Sequence, residues 1–143
     1  MIDDSETVIL KKAANYFVPA NEAIIPDIGQ YFSFETFNGI AAQKALSDYV
    51  KKNGLWIGGT IFLTSSALFF KANSLNAQLN RGNKLADLIL LEDILAVHFQ
   101  KALGSSIITA VSEKNSMSFR CFGAKKVLLK ISEYTNHARI IGN

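Results

Sequence analysis

His98 and His137 are the only histidines of this 143-residue chain, and Cys121 is its only cysteine. Few groups can therefore ionise or attack near neutral pH. A metal centre needs three or four converging ligands, and no Cys/His cluster stands at ligand spacing. His98 sits between Val97 and Phe99 in an apolar run, while His137 falls where a helix should end and a cation is favoured. Ser-His-Asp partners come from distant parts of a chain, so His98 keeps an alternative reading as the base of a small enzyme or ligand pocket. No G-x-S-x-G elbow supports that reading, and Ser65-Ser66 and Ser105-Ser106 have the character of turn residues. Cys121 lies in the apolar run Ser118-Phe119-Arg120-Cys121-Phe122 and reads as a small packing residue. No internal disulfide can form. Catalytic residues, metal ligands and cofactor-binding residues: none is assigned.

The remaining polar clusters read as surface. Gly58-Gly59 lacks the G-x-x-x-x-G-K-[ST] pattern of a phosphate loop and marks a bulge or a bend in a closing sheet. Glu92-Asp93 is a solvated turn. Lys101, Lys114, Lys125, Lys126 and Lys130 read as a hydrated face, with an anion site as the alternative. Lys51-Lys52 lie close to Trp56, which places two charges beside an aromatic ring suited to the headgroup level of an anionic membrane. The plainer account makes the two lysines helix-end charges and Trp56 a core residue. Fifteen Lys and Arg against twelve Asp and Glu give a net charge of +3. That is too slight a surplus for a nucleic-acid binder, and Tyr31-Phe32-Ser33-Phe34 lacks the interleaved arginine of a base-stacking platform.

These residues must be held by a core, and a chain of this size buries roughly 70% of its unfolded surface. Ser5 to Phe17 predicts a first helix, with Val8, Ile9, Lys12, Ala13 and Tyr16 at helical spacing and Pro19 closing it. Asn21 to Ile25 is a short extended segment, and Gln30 to Phe37 alternates like a strand. Ile40 to Lys52 is a second helix, with Ala42, Ala45, Leu46, Tyr49 and Val50 on one side and Gly54 as its cap. Beyond Gly54 the period changes to two. Strands run from Leu55 to Thr64, Ala67 to Asn73, Leu85 to Leu91 and Ile94 to Lys101, with Ser74 to Lys84 an exposed loop. Ser105 to Ser112 and Met117 to Phe122 make a hairpin. Ala124 to about His137 is an amphipathic helix with Val127, Leu128, Ile131, Tyr134 and Ala138 inward.

Gly59-Thr60-Ile61-Phe62-Leu63-Thr64-Ser65-Ser66-Ala67-Leu68-Phe69-Phe70 resembles the hairpin of GRAM domains, of the pleckstrin-homology-like superfamily. Glu22-Ala23-Ile24-Ile25 is similar to that family's opening strand. Leu90-Leu91-Glu92-Asp93-Ile94-Leu95-Ala96-Val97 resembles its central segment, and Ser118-Phe119-Arg120-Cys121-Phe122 its last strand. The resemblance implies an α+β fold: a PH-like, strongly bent antiparallel sheet or partial barrel of about seven strands, capped by a C-terminal helix. Residues 1–143 would be one domain, with an N-terminal helix over 1–19 and a helical insertion over 26–53. It also implies a binding or scaffolding role. The region that carries a basic cluster in phosphoinositide-binding members holds Lys44, Lys51 and Lys52 and no arginine.

The expected function is a non-enzymatic intracellular module that binds a protein or peptide, with no cofactor and no nucleic acid. Weak contact with an anionic membrane lipid through Lys51, Lys52 and Trp56 is the second reading. The acidic first residues lack the basic and apolar regions of a signal peptide, so the expected location is the cytoplasm, or peripherally at a membrane.

Overall fold

The apolar strand segments of the second half can bury their inner faces only by pairing side by side and curling, and they do so around a single core. The computed structural model describes residues 7–26 and 37–142. Its elements run β1 (Val8–Val18), α1 (Phe37–Asn53), β2 (Leu55–Thr64), β3 (Ala67–Ala72), α2 (Ser74–Leu79), β4 (Ala86–Leu90), β5 (Ile94–Gln100), β6 (Ser105–Ser112), β7 (Ser116–Phe122), α3 (Ala124–Tyr134) and β8 (Arg139–Gly142). The strands form one sheet in the order β4-β3-β2-β1-β7-β6-β5-β8, antiparallel except where β8 lies parallel to β5. The sheet bends enough for β4 to approach β7 directly, although three strands separate them in the hydrogen-bonded order. Ile57, Ile61, Leu68, Phe70, Ile108, Phe119 and Ile131 fill the concave side and are fully buried. Among the described residues the fold is α+β, a mostly antiparallel eight-stranded sheet with a helix between β7 and β8 that packs against β6.

β1 corrects the first helix predicted within 1–19. Ala14, Tyr16 and Val18 are buried while Ala13 and Asn15 are exposed, a period of two. The helical spacing was a coincidence of a mixed sequence. What decides the conformation is β2, which pairs with β1 from Val8 opposite Thr64 to Val18 opposite Leu55. A central strand gains ladder hydrogen bonds and burial that a peripheral helix cannot match.

The segment taken as an opening strand, Glu22 to Ile25, forms no strand. Its backbone is held by a side chain instead: the Asn83 amide accepts from Ile24 N–H and donates to Ile24 O, both at 2.7 Å. Of the strand expected over Gln30 to Phe37, residues 30–36 lie outside the described residues, and Phe37 opens α1. That helix stands between β1 and β2, where the 26–53 insertion was expected. Val50 is its one buried residue among those described, while Ala42, Ala45 and Tyr49 are exposed, so its apolar stripe is narrower than the spacing suggested. Gly54 caps it as expected, with φ +81° and its N–H bonded to Val50 O.

Three further differences have local causes. Ser74 to Leu79 is helix rather than loop, because Asn73 Oδ1 accepts the Asn76 N–H and caps the first turn. The β1–β2 register runs through Gly58-Gly59 without a bulge, and β3 pairs with β2 from Gly59 onward; the glycines serve close approach instead. α3 ends at Tyr134, where Thr135 Oγ1 donates to Ile131 O, and the chain turns back as β8, which leaves His137 beyond the helix.

Candidate binding cleft

At the end of β1 the sheet opens into a cleft of about 400 Å³. Three parts of the chain wall it. β1 and the turn after it bring Tyr16, Phe17 and Glu22, the segment before β4 brings Lys84, and the β6–β7 turn brings Lys114 and Ser116. One acid and two bases on a surface with two aromatic rings suit a polar, partly charged ligand.

The wall behind Tyr16 is rigid. Its ring stacks on Phe70 at 4.9 Å and 17°. Its hydroxyl donates to Asp87 Oδ2 at 2.8 Å, and Asp87 Oδ1 receives Lys84 Nζ at 3.1 Å and the Leu88 N–H at 2.9 Å. Asp87 and Tyr16 are both buried, so each oxygen of the carboxylate is satisfied before any ligand arrives. Burial, and then the bond to the Asp87 carboxylate and its charge, hold the Tyr16 phenol well above the usual tyrosine range. Its proton is committed to Asp87, which makes it a fixed donor rather than a base.

This shift carries a sign that can be tested. The unfolded chain loses the phenol proton near the ordinary value of 10.0, while the folded chain still holds it. The stabilisation is therefore complete below that pH and is lost as pH rises above it, by about 1.4 kcal/mol per unit. Tyr16→Phe should abolish this part of the decline and cost about 1 kcal/mol near neutrality. Urea unfolding of both proteins from neutral to strongly alkaline pH checks it; parallel curves would mean that Tyr16 does not contribute.

Of the groups singled out in the sequence, His98 is exposed on β5, in an open hollow of about 200 Å³ beside Ile107, Thr109 and Ile141. None of the residues lining that hollow is a carboxylate. His137 is exposed. Cys121 is buried, and burial pushes its thiol up, away from the thiolate a nucleophile requires. Glu92 and Asp93 are exposed at the turn before β5. Among the described residues, no three His, Cys, Asp or Glu side chains gather where they could hold a metal. Lys51 and Lys52 are exposed at the end of α1. The half-buried Trp56 ring packs against Phe17 at 4.9 Å and beneath the Arg120 guanidinium at 4.5 Å.

Asp87 went unnoticed in the sequence, yet a signal existed. A lone acid at an inward position of Ala86–Leu90, two residues before buried Ile89, requires a polar partner inside. Tyr16 is that partner, hidden because its segment was read as helix.

No family model and no curated protein matches this chain. Its fold is similar to that of several solved structures, two of which illustrate the likeness. The C-terminal domain of an unknown protein from Leishmania infantum is 12% identical, with a TM-score of 0.51 over 92% of this chain and 85% of that one. The hSac2 domain of the human phosphoinositide phosphatase Sac2 is 8% identical, with a TM-score of 0.51 over 99% of this chain and 80% of that one. At these identities the likeness concerns the fold alone. No helix among the described residues is long and apolar enough to cross a membrane.

Proposed function

We propose that this chain is a non-enzymatic intracellular binding module of GRAM or pleckstrin-homology-like type, and that its partner is a protein or peptide received by the cleft beside Tyr16. The observation that carries the reading is the make-up of that cleft: an open, charge-bearing surface on a pre-formed wall, whose one inward phenol is already bonded to Asp87. Such a surface selects by shape and charge. The superfamily reading draws support from seven consecutive antiparallel neighbours, β4-β3-β2-β1-β7-β6-β5, followed by α3 against the bent sheet. The likeness to the hSac2 domain supports the same architecture. The reading differs from the motif alignment in one respect, since Val8–Val18 takes the place assigned to Glu22 to Ile25 as first strand.

The test is a comparison of captured proteins from the native host, using the wild type and a charge-reversed Glu22→Lys/Lys114→Glu variant. Both residues are exposed, so the thermal midpoint should not change. The expected result is a partner retained by wild type and lost by the variant, and a segment of that partner should bind the isolated wild-type chain in titration. A partner captured equally by both would move the site away from this cleft. The second reading, weak contact with an anionic membrane, rests on exposed Lys51 and Lys52 and on half-buried Trp56, which also packs against Phe17 and Arg120.

A further inference from the structure

Away from the cleft, on the convex side of the sheet, lies a cation with no ion-pair partner among the described residues. Arg120 on β7 lies opposite Asn15 on β1 and Ile107 on β6. Its Nε is buried without a hydrogen-bond partner, and no described acid forms an ion pair with it. That nitrogen is closed to solvent, but the side chain as a whole is half-buried and lines a hollow, where a ligand would meet the terminal amino groups of the fork. The Trp56 ring lies 4.5 Å below the guanidinium and is itself held by Phe17. Stacking of this kind fixes the plane of the fork and leaves its edge donors available.

The edge borders a hollow of about 220 Å³ lined by Arg120, Asn15, Asn73, Ser105 and the side-chain-free Gly58 and Gly59. The lining contains amide and hydroxyl groups from β1, from β6 and from the residue between β3 and α2, and no carboxylate. The convex positions of β1 to β3 around it carry Lys11 and Lys71 and no acid. A planar fork with further donors on other sides matches an anion with more than two acceptor oxygens. We propose that this hollow is a phosphate-binding site, with Arg120 as its anchor and Trp56 as the platform that orients it. The ligand chemistry is a phosphomonoester group, whether on a soluble molecule or on a lipid headgroup. The site is separate from the cleft beside Tyr16 and does not depend on the peptide reading.

The chain holds a single tryptophan, so its emission reports on this site directly. Titration with inorganic phosphate and with glycerol phosphate, against chloride at matched ionic strength, should give a saturable change in Trp56 emission. Arg120→Lys keeps the charge but loses the fork, and should weaken binding by about tenfold. Arg120→Gln should abolish it, with circular dichroism and the thermal midpoint establishing that each variant is folded. Co-sedimentation with phosphatidylcholine vesicles containing phosphatidic acid then identifies the source. Binding to vesicles that is lost in Arg120→Gln assigns a lipid headgroup, and a response to glycerol phosphate without sedimentation assigns a soluble ligand. If wild type responds to phosphate no more than to chloride, or if a folded Arg120→Gln variant responds as wild type does, Arg120 is a hydrated cation and the proposal fails.

Discussion

Gly59→Ala should destabilise the protein by at least about 3 kcal/mol, whereas the neighbouring Gly58→Ala should cost about 1 kcal/mol. A Cβ on Gly59 would stand 2.2 Å from Lys71 O and 2.7 Å from the Ala72 Cα, both backbone atoms of the paired strand β3. No rotamer change relieves such a conflict; β2 and β3 would have to separate where Gly59 faces Ala72. At Gly58 the nearest atoms are the ends of the Asn76 and Asn15 side chains, at 2.9 and 3.3 Å, which can turn aside. Asn76 Oδ1 accepts the Gly58 N–H, so displacing it also loosens α2 from β2. Denaturant midpoints of the two variants measure the difference. Equal, small losses would mean that β2 and β3 do not approach as closely as this geometry requires. A native domain has only about 5–15 kcal/mol to lose, so the Gly59 variant should be markedly less stable.

The second large effect belongs to α3. Ile131 is fully buried against the concave face, and its truncation leaves a cavity that the rigid sheet cannot close. Ile131→Ala should cost about 3–5 kcal/mol, Leu128→Ala about 1–2 kcal/mol because that side chain is only half-buried, and Leu129→Ala under about 0.5 kcal/mol because it is 56% exposed. The order is the test. If Leu129→Ala proved the costliest, the helix would present a different face to the sheet. If all three were neutral, α3 would not be docked at all. Chemical denaturation with one spectroscopic probe on β7 and one on α3 also shows whether helix and sheet unfold together.

Much of the framework from residue 55 onward was legible in the residues because its cues are local. Thr64-Ser65-Ser66-Ala67 forms the turn between β2 and β3, with Thr64 Oγ1 accepting the Ala67 N–H at 3.0 Å. Glu113 to Ser116 closes the β6–β7 hairpin, fastened by the Ser112 hydroxyl donating to Asn115 Oδ1 at 2.6 Å. Val127 and Ile131, four apart, mark the inner face of α3 by period alone. The burial of Cys121 could be expected from its apolar neighbours.

What the tertiary structure alone decided shares one cause: each feature depends on a partner distant in sequence. Val8–Val18 became a strand because β2 and β7 lie on either side of it, while its own composition tolerates a helix equally well. Asp87 found Tyr16 across 71 positions, and Asn83 found Ile24 across 59. Trp56, read with Lys51 and Lys52 on sequence proximity, also packs against Arg120, because an antiparallel sheet places β7 beside β1 and β1 beside β2. β8 carries no strand signal of its own; its four residues are all exposed and are ordered by the free edge of β5. Periodicity reports which face of an element is buried. It does not report what lies opposite, and side-chain chemistry across the sheet is decided there.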